Sequence, residues 1–380
     1  MIKNIFTLII LQLFVSSCLN AQEKQKWLFD FSSVDDLVST AISEKVFPGA
    51  ALLIWKDGNI LYEQSYGTYT YDLNSEKVNS EIIYDIASLT KVVATTTAAM
   101  ICLDRKLFSL DDKVIRFIAE FGVNEKEDVK IRNLLLHNSG LPAWKKFYGR
   151  GLDESGVLKE IYNSKLEYET GTKMVYSDLG IITLGKIIEK VSGLSLDEFC
   201  KKEIFLPLEM NRTFFNPDDS VKQYCAPSEA DNYWRNKLIQ GEVHDETAAL
   251  LDGVAGHAGL FSTIKDLSKF MSMIMNEGIY KNKRIINPGT IKLFTKKQSD
   301  QSFRGLGWDT KSVKGSSAGN LFSSNSFGHT GFTGTSIWAD PERNLFVVFL
   351  TNRVYPSREN TKIISFRPKL HDAIINSITE

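Results

Sequence analysis

Ser88-Leu89-Thr90-Lys91 places a hydroxyl and an amine three residues apart. A helix turns that spacing onto one face, with Cβ atoms roughly 5–6 Å apart. A serine becomes a nucleophile when a base lies within hydrogen-bonding reach. Residues 92–103 are apolar or Thr/Ala and carry no charge until their end, so the helix that follows reads as buried all round, with Lys91 at its dry end. Desolvation and the positive helix terminus both push a lysine pKa down, and Lys91 is therefore expected to take part in proton transfer. The chain repeats the spacing at Ser262-Thr263-Ile264-Lys265. There the residues open an amphipathic pattern (Leu267, Phe270, Met271, Ile274), and Thr263 and Asp266 are spaced like a capping box. A structural N-cap accounts for that copy fully.

Two more segments carry candidate chemistry: Tyr176-Ser177-Asp178, ahead of a helical pattern over 179–192, and His329-Thr330-Gly331, which opens a strand pattern. The elements that must position them read as follows. Ser32-Ser33 begin a helix to about Ser43, and strands over 47–55 and 59–70 join through the Lys56-Asp57-Gly58 turn. Residues 81–86 read as extended, and 88–293 are mostly helical, broken at Asn138-Ser139-Gly140, Glu169-Thr170-Gly171 and the glycine-rich 253–259. Strands over 331–339 and 344–352 flank Asp340-Pro341-Glu342-Arg343, and a last helix covers 361–378. The expected class is α/β (α+β): an antiparallel sheet flanked by helices and drawn from both ends of the chain (22–87 and 301–380), with a mostly helical insertion over 88–300. Its active site is expected at the seam.

With 380 residues, 43% hydrophobic and 24% charged, the chain can bury one compound core or two intimate domains. A net charge of −1 and no basic stripe argue against nucleic acid as a partner. Residues 1–21 read as a targeting segment: Lys3 supplies the positive charge, 5–15 a short apolar stretch, and Ser16-Ser17 precede Cys18. Val15-Ser16-Ser17-Cys18 resembles a bacterial lipoprotein box, which implies lipidation of Cys18 and a membrane contact through that anchor alone. Plain secretion with cleavage after Ala21 is the alternative; either places the protein outside the cytoplasm, in the periplasm. Cys102, Cys200 and Cys225 suggest no disulfide framework. His244, Asp245, Glu246 and His257 match no standard zinc spacing, and no metal or other cofactor is expected. His137, before Asn138 and Gly140, reads as a helix-end residue.

In order, the three segments resemble the Ser-x-x-Lys, Tyr-x-Asn and Lys-Thr-Gly elements of class C-type β-lactamases, penicillin-binding carboxypeptidases and related serine hydrolases. Phe47-Pro48-Gly49-Ala50, Leu135-Leu136-His137-Asn138-Ser139-Gly140-Leu141 and Phe261-Ser262-Thr263 add to the likeness. The resemblance implies a β-lactamase/transpeptidase-like fold. It implies Ser88 as the nucleophile that becomes acylated, Lys91 and Tyr176 as its proton relay, and the backbone N–H groups of Ser88 and Phe332 as the oxyanion hole. A cationic lysine beside a phenol favours phenolate, which would supply the base. Two positions depart from the pattern. Asp178 replaces an amide with a carboxylate that only accepts when ionised, though it can still pair with Lys91. His329 replaces a lysine, and a neutral imidazole weakens recognition of a substrate carboxylate, so β-lactamase activity ranks low.

Ala226-Pro227-Ser228-Glu229, Trp234-Arg235, residues 241–246 and residues 253–260 resemble a branch containing N-acetylmuramyl-L-alanine amidases and D,D-carboxypeptidases. The substrate implied is a peptidoglycan fragment or another small amide or ester. Asp178, His329, Thr330, Gly331 and His257 are the expected substrate-side residues. Trp234 is a candidate to stack on a sugar and Arg235 to hold a carboxylate; interdomain packing accounts for both equally well. The rival activities are a D,D-carboxypeptidase, a D-aminopeptidase or an esterase on the same scaffold, and a muropeptide receptor without turnover.

Overall fold

The chain returns to its starting sheet only in its last 80 residues, after a long and mostly helical excursion. The computed structural model describes residues 29–299 and 302–379; the targeting segment and Cys18 lie outside them. Helix α1 (Ser32–Ser43) leads into the hairpin of β1 (Gly49–Lys56) and β2 (Asn59–Gly67), and β3 (Tyr84–Asp85) follows. Helix α2 begins as a π-helix (Lys91–Thr96) and continues as an α-helix (Thr97–Asp104). After it come α3 (Asp178–Ser192), β4 (Phe214–Phe215), β5 (Leu260–Ser262) and α4 (Ile264–Met275). The chain ends with β6 (Asp309–Thr310), β7 (Phe327–Thr330), β8 (Ser336–Asp340), β9 (Leu345–Thr351) and α5 (Ile363–Thr379).

The main sheet is antiparallel in the order β6-β7-β8-β9-β1-β2. Strands β1 and β9 pair from Ala50 opposite Thr351 to Lys56 opposite Leu345, and both are continuous apolar runs because both sheet faces are covered. Ala50, Leu52, Ile54, Val347 and Phe349 face α1 and α5. Ala51, Leu53, Val348 and Leu350 face the opposite core, which contains Met271 of α4. The period of two thus divides one sequence between two hydrophobic layers, each full Leu or Val burial contributing about 1.5–3 kcal/mol.

Three elements differ from the sequence reading. The strand expected over 331–339 begins only at Ser336 as β8, because 331–335 form a turn after β7 ends at Thr330. His329 therefore closes a strand instead of opening one. The break is a turn, closed by Gly334 N–H to Gly331 O at 3.1 Å, with Gly334 at φ +117°, a region that favours glycine. The extended run 81–86 keeps only β3 as ladder, and β3, β5 and β4 form a small sheet in that order inside the largely helical part. Strands of two or three residues have too few alternations to stand out in a sequence. Among the described residues no helix is long and apolar enough to cross a membrane, and Cys102, Cys200 and Cys225 are buried thiols.

Candidate active site

Ser88 sits in a tight turn between β3 and α2, held from below. Asp85 Oδ1 accepts the Ala87 N–H at 2.8 Å, and Ala87 adopts φ +47°, a left-handed conformation that costs a non-glycine residue roughly 1–3 kcal/mol. Lys91 opens the π-helix, is 1% exposed, and spends its ammonium on three neighbours: Ser88 Oγ at 2.9 Å, His257 O at 2.9 Å and Asp178 Oδ1 at 2.8 Å. The His257 carbonyl reaches it because the glycine-rich loop packs tightly on α2 and α3. A Cβ on Gly256 would lie 2.3 Å from Ile181 O, and Thr95 Oγ1 donates to Gly256 O at 2.6 Å.

Burial pulls the Lys91 pKa down, but Asp178 and then Tyr176 outweigh it and hold Lys91 at about 12. The depressed value expected from sequence is thereby overturned, because the countercharge arrives from another helix. Tyr176 departs from expectation as well. Burial raises its phenol; Lys91 and Ser88 lie within hydrogen-bonding reach and lower it, Asp178 raises it further, and the net shift is upward. The phenol keeps its proton in the free protein.

Tyr176 is enclosed by rings and cations. Lys91 Nζ lies 4.9 Å and the Arg304 guanidinium 5.0 Å from its ring centre, with the His137 ring at 4.6 Å and that of His329 at 6.0 Å. His137 pins the segment on both sides: its Nδ1 accepts the Ser177 N–H at 3.0 Å and its carbonyl accepts the Val175 N–H at 2.8 Å. Burial, reinforced by Arg304 and Lys91, pushes the His137 imidazole well down, so it stays neutral. His329 is also neutral, lowered to about 4 by burial against the opposing pull of Asp309. Arg304, paired with Asp309 at 2.5 Å, was not found from sequence; a cation over a ring contributed by a distant loop leaves no local pattern.

The turn after β7 lies against the segment that precedes Ser88. Thr333 Oγ1 donates to Asp85 O at 2.8 Å and Thr335 Oγ1 to Ile86 O at 3.1 Å. A Cβ on Gly331 would lie 2.1 Å from Thr335 Oγ1 and 2.5 Å from Ile86 O, so the approach requires glycine. Among the described residues neither the Ser88 nor the Phe332 N–H enters a backbone hydrogen bond between elements or in a turn. Thr330 is half-buried, and Phe332 is 48% exposed with its ring stacked 5.6 Å from that of His244.

Beside this turn opens a cavity of about 340 Å³ whose wall includes Ala87, Tyr148, Asp178, His244 and Phe332. Trp234 packs against Tyr148, with ring centres 5.5 Å apart and planes tilted by 43°. Arg235 has no free guanidinium to offer a ligand: it bonds Asp231 at 2.9 Å and the carbonyls of Val243 and His244 at 2.7 Å each. It holds the 241–246 segment in place. The His257 ring is buried, with Nε2 on Asp245 Oδ1 at 2.9 Å, so its contact with the centre runs through its carbonyl. His244 Nε2 meets Glu229 at 2.9 Å, and Glu246 pairs with Arg358 at 2.9 Å. Burial would raise the Glu229 carboxyl, but His244 and Arg358 bring it down to about 2. Among the described residues no three His, Cys, Asp or Glu side chains cluster as metal ligands. Ser262 lies elsewhere, fully buried and bonded to Thr213 Oγ1 at 2.8 Å, while Thr263 caps α4 by accepting the Asp266 N–H.

The β-lactamase family model matches residues 34–366. The chain belongs to that family. This β-lactamase-family serine hydrolase is 31% identical to an N-acetylmuramyl-L-alanine amidase of Bacillus subtilis, over 95% of its own length and 91% of the relative's. It is 32% identical to a protein of Escherichia coli K12 provisionally named a D-alanyl-D-alanine carboxypeptidase, covering 82% and 80% of the two chains. Among solved structures it resembles the octameric penicillin-binding protein homologue of Pyrococcus abyssi, with TM-score 0.68, 25% identity, and 85% and 73% of the chains covered. The likeness supports the mixed α/β fold expected from the motifs.

Proposed function

We propose that this hydrolase cleaves amide bonds of peptidoglycan or its muropeptide fragments, at the bond an N-acetylmuramyl-L-alanine amidase cuts, through an acyl-enzyme on Ser88. The observation that carries the reading is the continuous set of contacts from Ser88 Oγ through Lys91 Nζ to Asp178 Oδ1, with Tyr176 against both serine and lysine. Lys91 is already an ammonium and Tyr176 a phenol, so the acceptor in the set is the Asp178 carboxylate. As Ser88 Oγ attacks the carbonyl carbon its proton passes to Tyr176 Oη, the phenol proton to Lys91 Nζ, and a lysine proton to Asp178. The oxyanion forms against the Ser88 and Phe332 N–H groups. Return of the proton through Tyr176 releases the amine, and water then hydrolyses the ester by the same relay in reverse. The neutral His329 offers no cation for a β-lactam carboxylate. Residues 1–21 support export, with Cys18 as the lipidation site.

Incubating the protein with purified muropeptides and weighing the products tests the scissile bond. A free lactyl-muramic acid and an intact peptide support the amidase; loss of D-alanine alone supports the carboxypeptidase instead. Ser88→Ala must abolish turnover, together with labelling of the Ser88 peptide by a fluorophosphonate. Labelling at Ser262 overturns the assignment.

A further inference from the structure

The turn that presents the Phe332 N–H rests on two buried cations. Arg367, on α5, donates from Nη2 to Gly331 O at 2.8 Å and to Thr335 O at 3.0 Å. Arg353, just past β9, donates from Nε to Phe332 O at 2.8 Å, and its guanidinium lies 4.4 Å from the Phe332 ring centre. Its Nη1 holds the carbonyls of Arg358 and Asn360 at 2.8 and 2.7 Å. The two side chains are 7% and 5% exposed, and among the described residues no carboxylate lies within ion-pair distance of either. Burying a cation without a countercharge is costly. Burial pulls Arg367 to about 9, with Arg353 adding to the effect, and Arg353 to about 10 against the opposing pull of the more distant Glu229. A neutral donor could satisfy the same carbonyls at lower cost.

What the cations do there follows from covalent geometry. Gly331 C=O and Phe332 N–H belong to one planar peptide unit. A cationic donor on the oxygen polarises that unit and makes its N–H a stronger donor, as hydrogen bonds in a chain polarise one another at low dielectric. Arg353 acts on the next peptide, whose carbonyl is Phe332 O, and so fixes the orientation of the plane. Arg367 sits on the oxygen of a trans peptide whose N–H points the opposite way, so its charge lies along that peptide's dipole and favours a negative oxygen at the N–H.

We infer that Arg367, supported by Arg353, is a positioning residue of the oxyanion hole, acting through the Gly331–Phe332 peptide on the negative oxygen of the tetrahedral intermediate. The inference rests on the acyl-enzyme reading of Ser88 and concerns the step that reading leaves to the backbone. The test uses the full chain, p-nitrophenyl acetate as a neutral acyl donor and phenylboronic acid as a tetrahedral mimic that adds to a serine hydroxyl. Arg367→Met should lower kcat on the order of 10–100-fold, somewhat less than loss of a whole oxyanion donor, with KM almost unchanged. Phenylboronate affinity should fall in step with kcat/KM, and Arg367→Lys, which keeps the charge, should recover part of both. A merely structural arginine would not split kcat from KM in this way. A folded Arg367→Met protein with wild-type kcat, or with a change in KM alone, overturns the inference. If that variant does not fold, Arg353→Met carries the same comparison, and unchanged boronate affinity overturns it there. Failure of the wild-type protein to react at Ser88 overturns the nucleophile reading itself, an outcome distinct from a reactive wild type matched by its arginine variants.

Discussion

Asp178→Asn keeps the side-chain shape and removes the carboxylate paired with Lys91 at 2.8 Å. Lys91 is held at about 12 against its ordinary 10.5. At about 1.36 kcal/mol per pKa unit, its polar neighbours exceed the burial penalty by roughly 2 kcal/mol. Asp178 is the largest of those neighbours, so removing it should cost on the order of 2 kcal/mol at neutral pH. The sign is fixed by linkage. A lysine raised in the folded state contributes stability that is fully present below about 10.5 and is lost as pH climbs through about 12. In the variant burial dominates instead, and the Lys91 pKa should drop below 10.5. Urea unfolding at pH 7, followed through the buried Trp308 and Trp338, measures the first effect. The rate of Ser88 labelling by a fluorophosphonate, followed from neutral to alkaline pH, measures the second. The variant should show a new ionisation with labelling rising through it, and the wild type none below 10.5. Equal stability within about 0.5 kcal/mol, the ordinary range for a surface change, and superimposable pH profiles would refute the role given to Asp178.

Phe332→Pro removes one oxyanion donor and should cost about 100–1,000-fold in rate, whereas Phe332→Ala keeps the N–H and should lose much less. Equal activity in two variants with native circular dichroism would show that this N–H is not a donor. His329→Lys should raise reactivity with carboxylate-bearing β-lactams relative to neutral esters through a charge-assisted hydrogen bond. It should also lower stability, because Arg304 and Lys91 already crowd that position with positive charge; an unchanged reactivity ratio places the selectivity elsewhere. Thr333→Val and Thr335→Val each remove a hydroxyl from a buried carbonyl and should destabilise by about 1–3 kcal/mol in urea unfolding, with loss of turnover. Full stability in both would mean that the turn is not anchored by these bonds.

Features carried by neighbouring residues were legible in the sequence: Ser88 and Lys91 three residues apart, Tyr176 and Asp178 at a helix start, and, away from the site, Thr263 and Asp266 as a cap. The hairpin of β1 and β2 was equally plain, since it needs only alternation and a turn. The protonation states of Lys91 and Tyr176 were not legible. They depend on Asp178 meeting Lys91 across two helices, and spacing along the chain does not report that distance. The Gly331 turn was hidden for a different reason: Thr330, Phe332, Thr333 and Thr335 around its glycines are strand-favouring residue types. Arg235 illustrates a third obstacle, because an arginine bonded to main-chain carbonyls has the same local signature as one waiting for a carboxylate.

Asp85 gathers three distant stretches of chain at one point. Its carboxylate takes the Ala87 N–H and the His244 N–H at 2.7 Å, and its carbonyl takes the Thr333 hydroxyl. A nascent chain therefore possesses Ser88 and Lys91 long before it possesses the turn at Thr333 that anchors the segment ahead of them. Some 250 residues of sequence separate Asp85 from Thr333, and closing so long a loop is entropically slow compared with forming local helix. The contacts of Asp85 are therefore complete only after Thr333 has been made. The order in which the polypeptide is made thus leaves the contacts of Asp85 to be completed late.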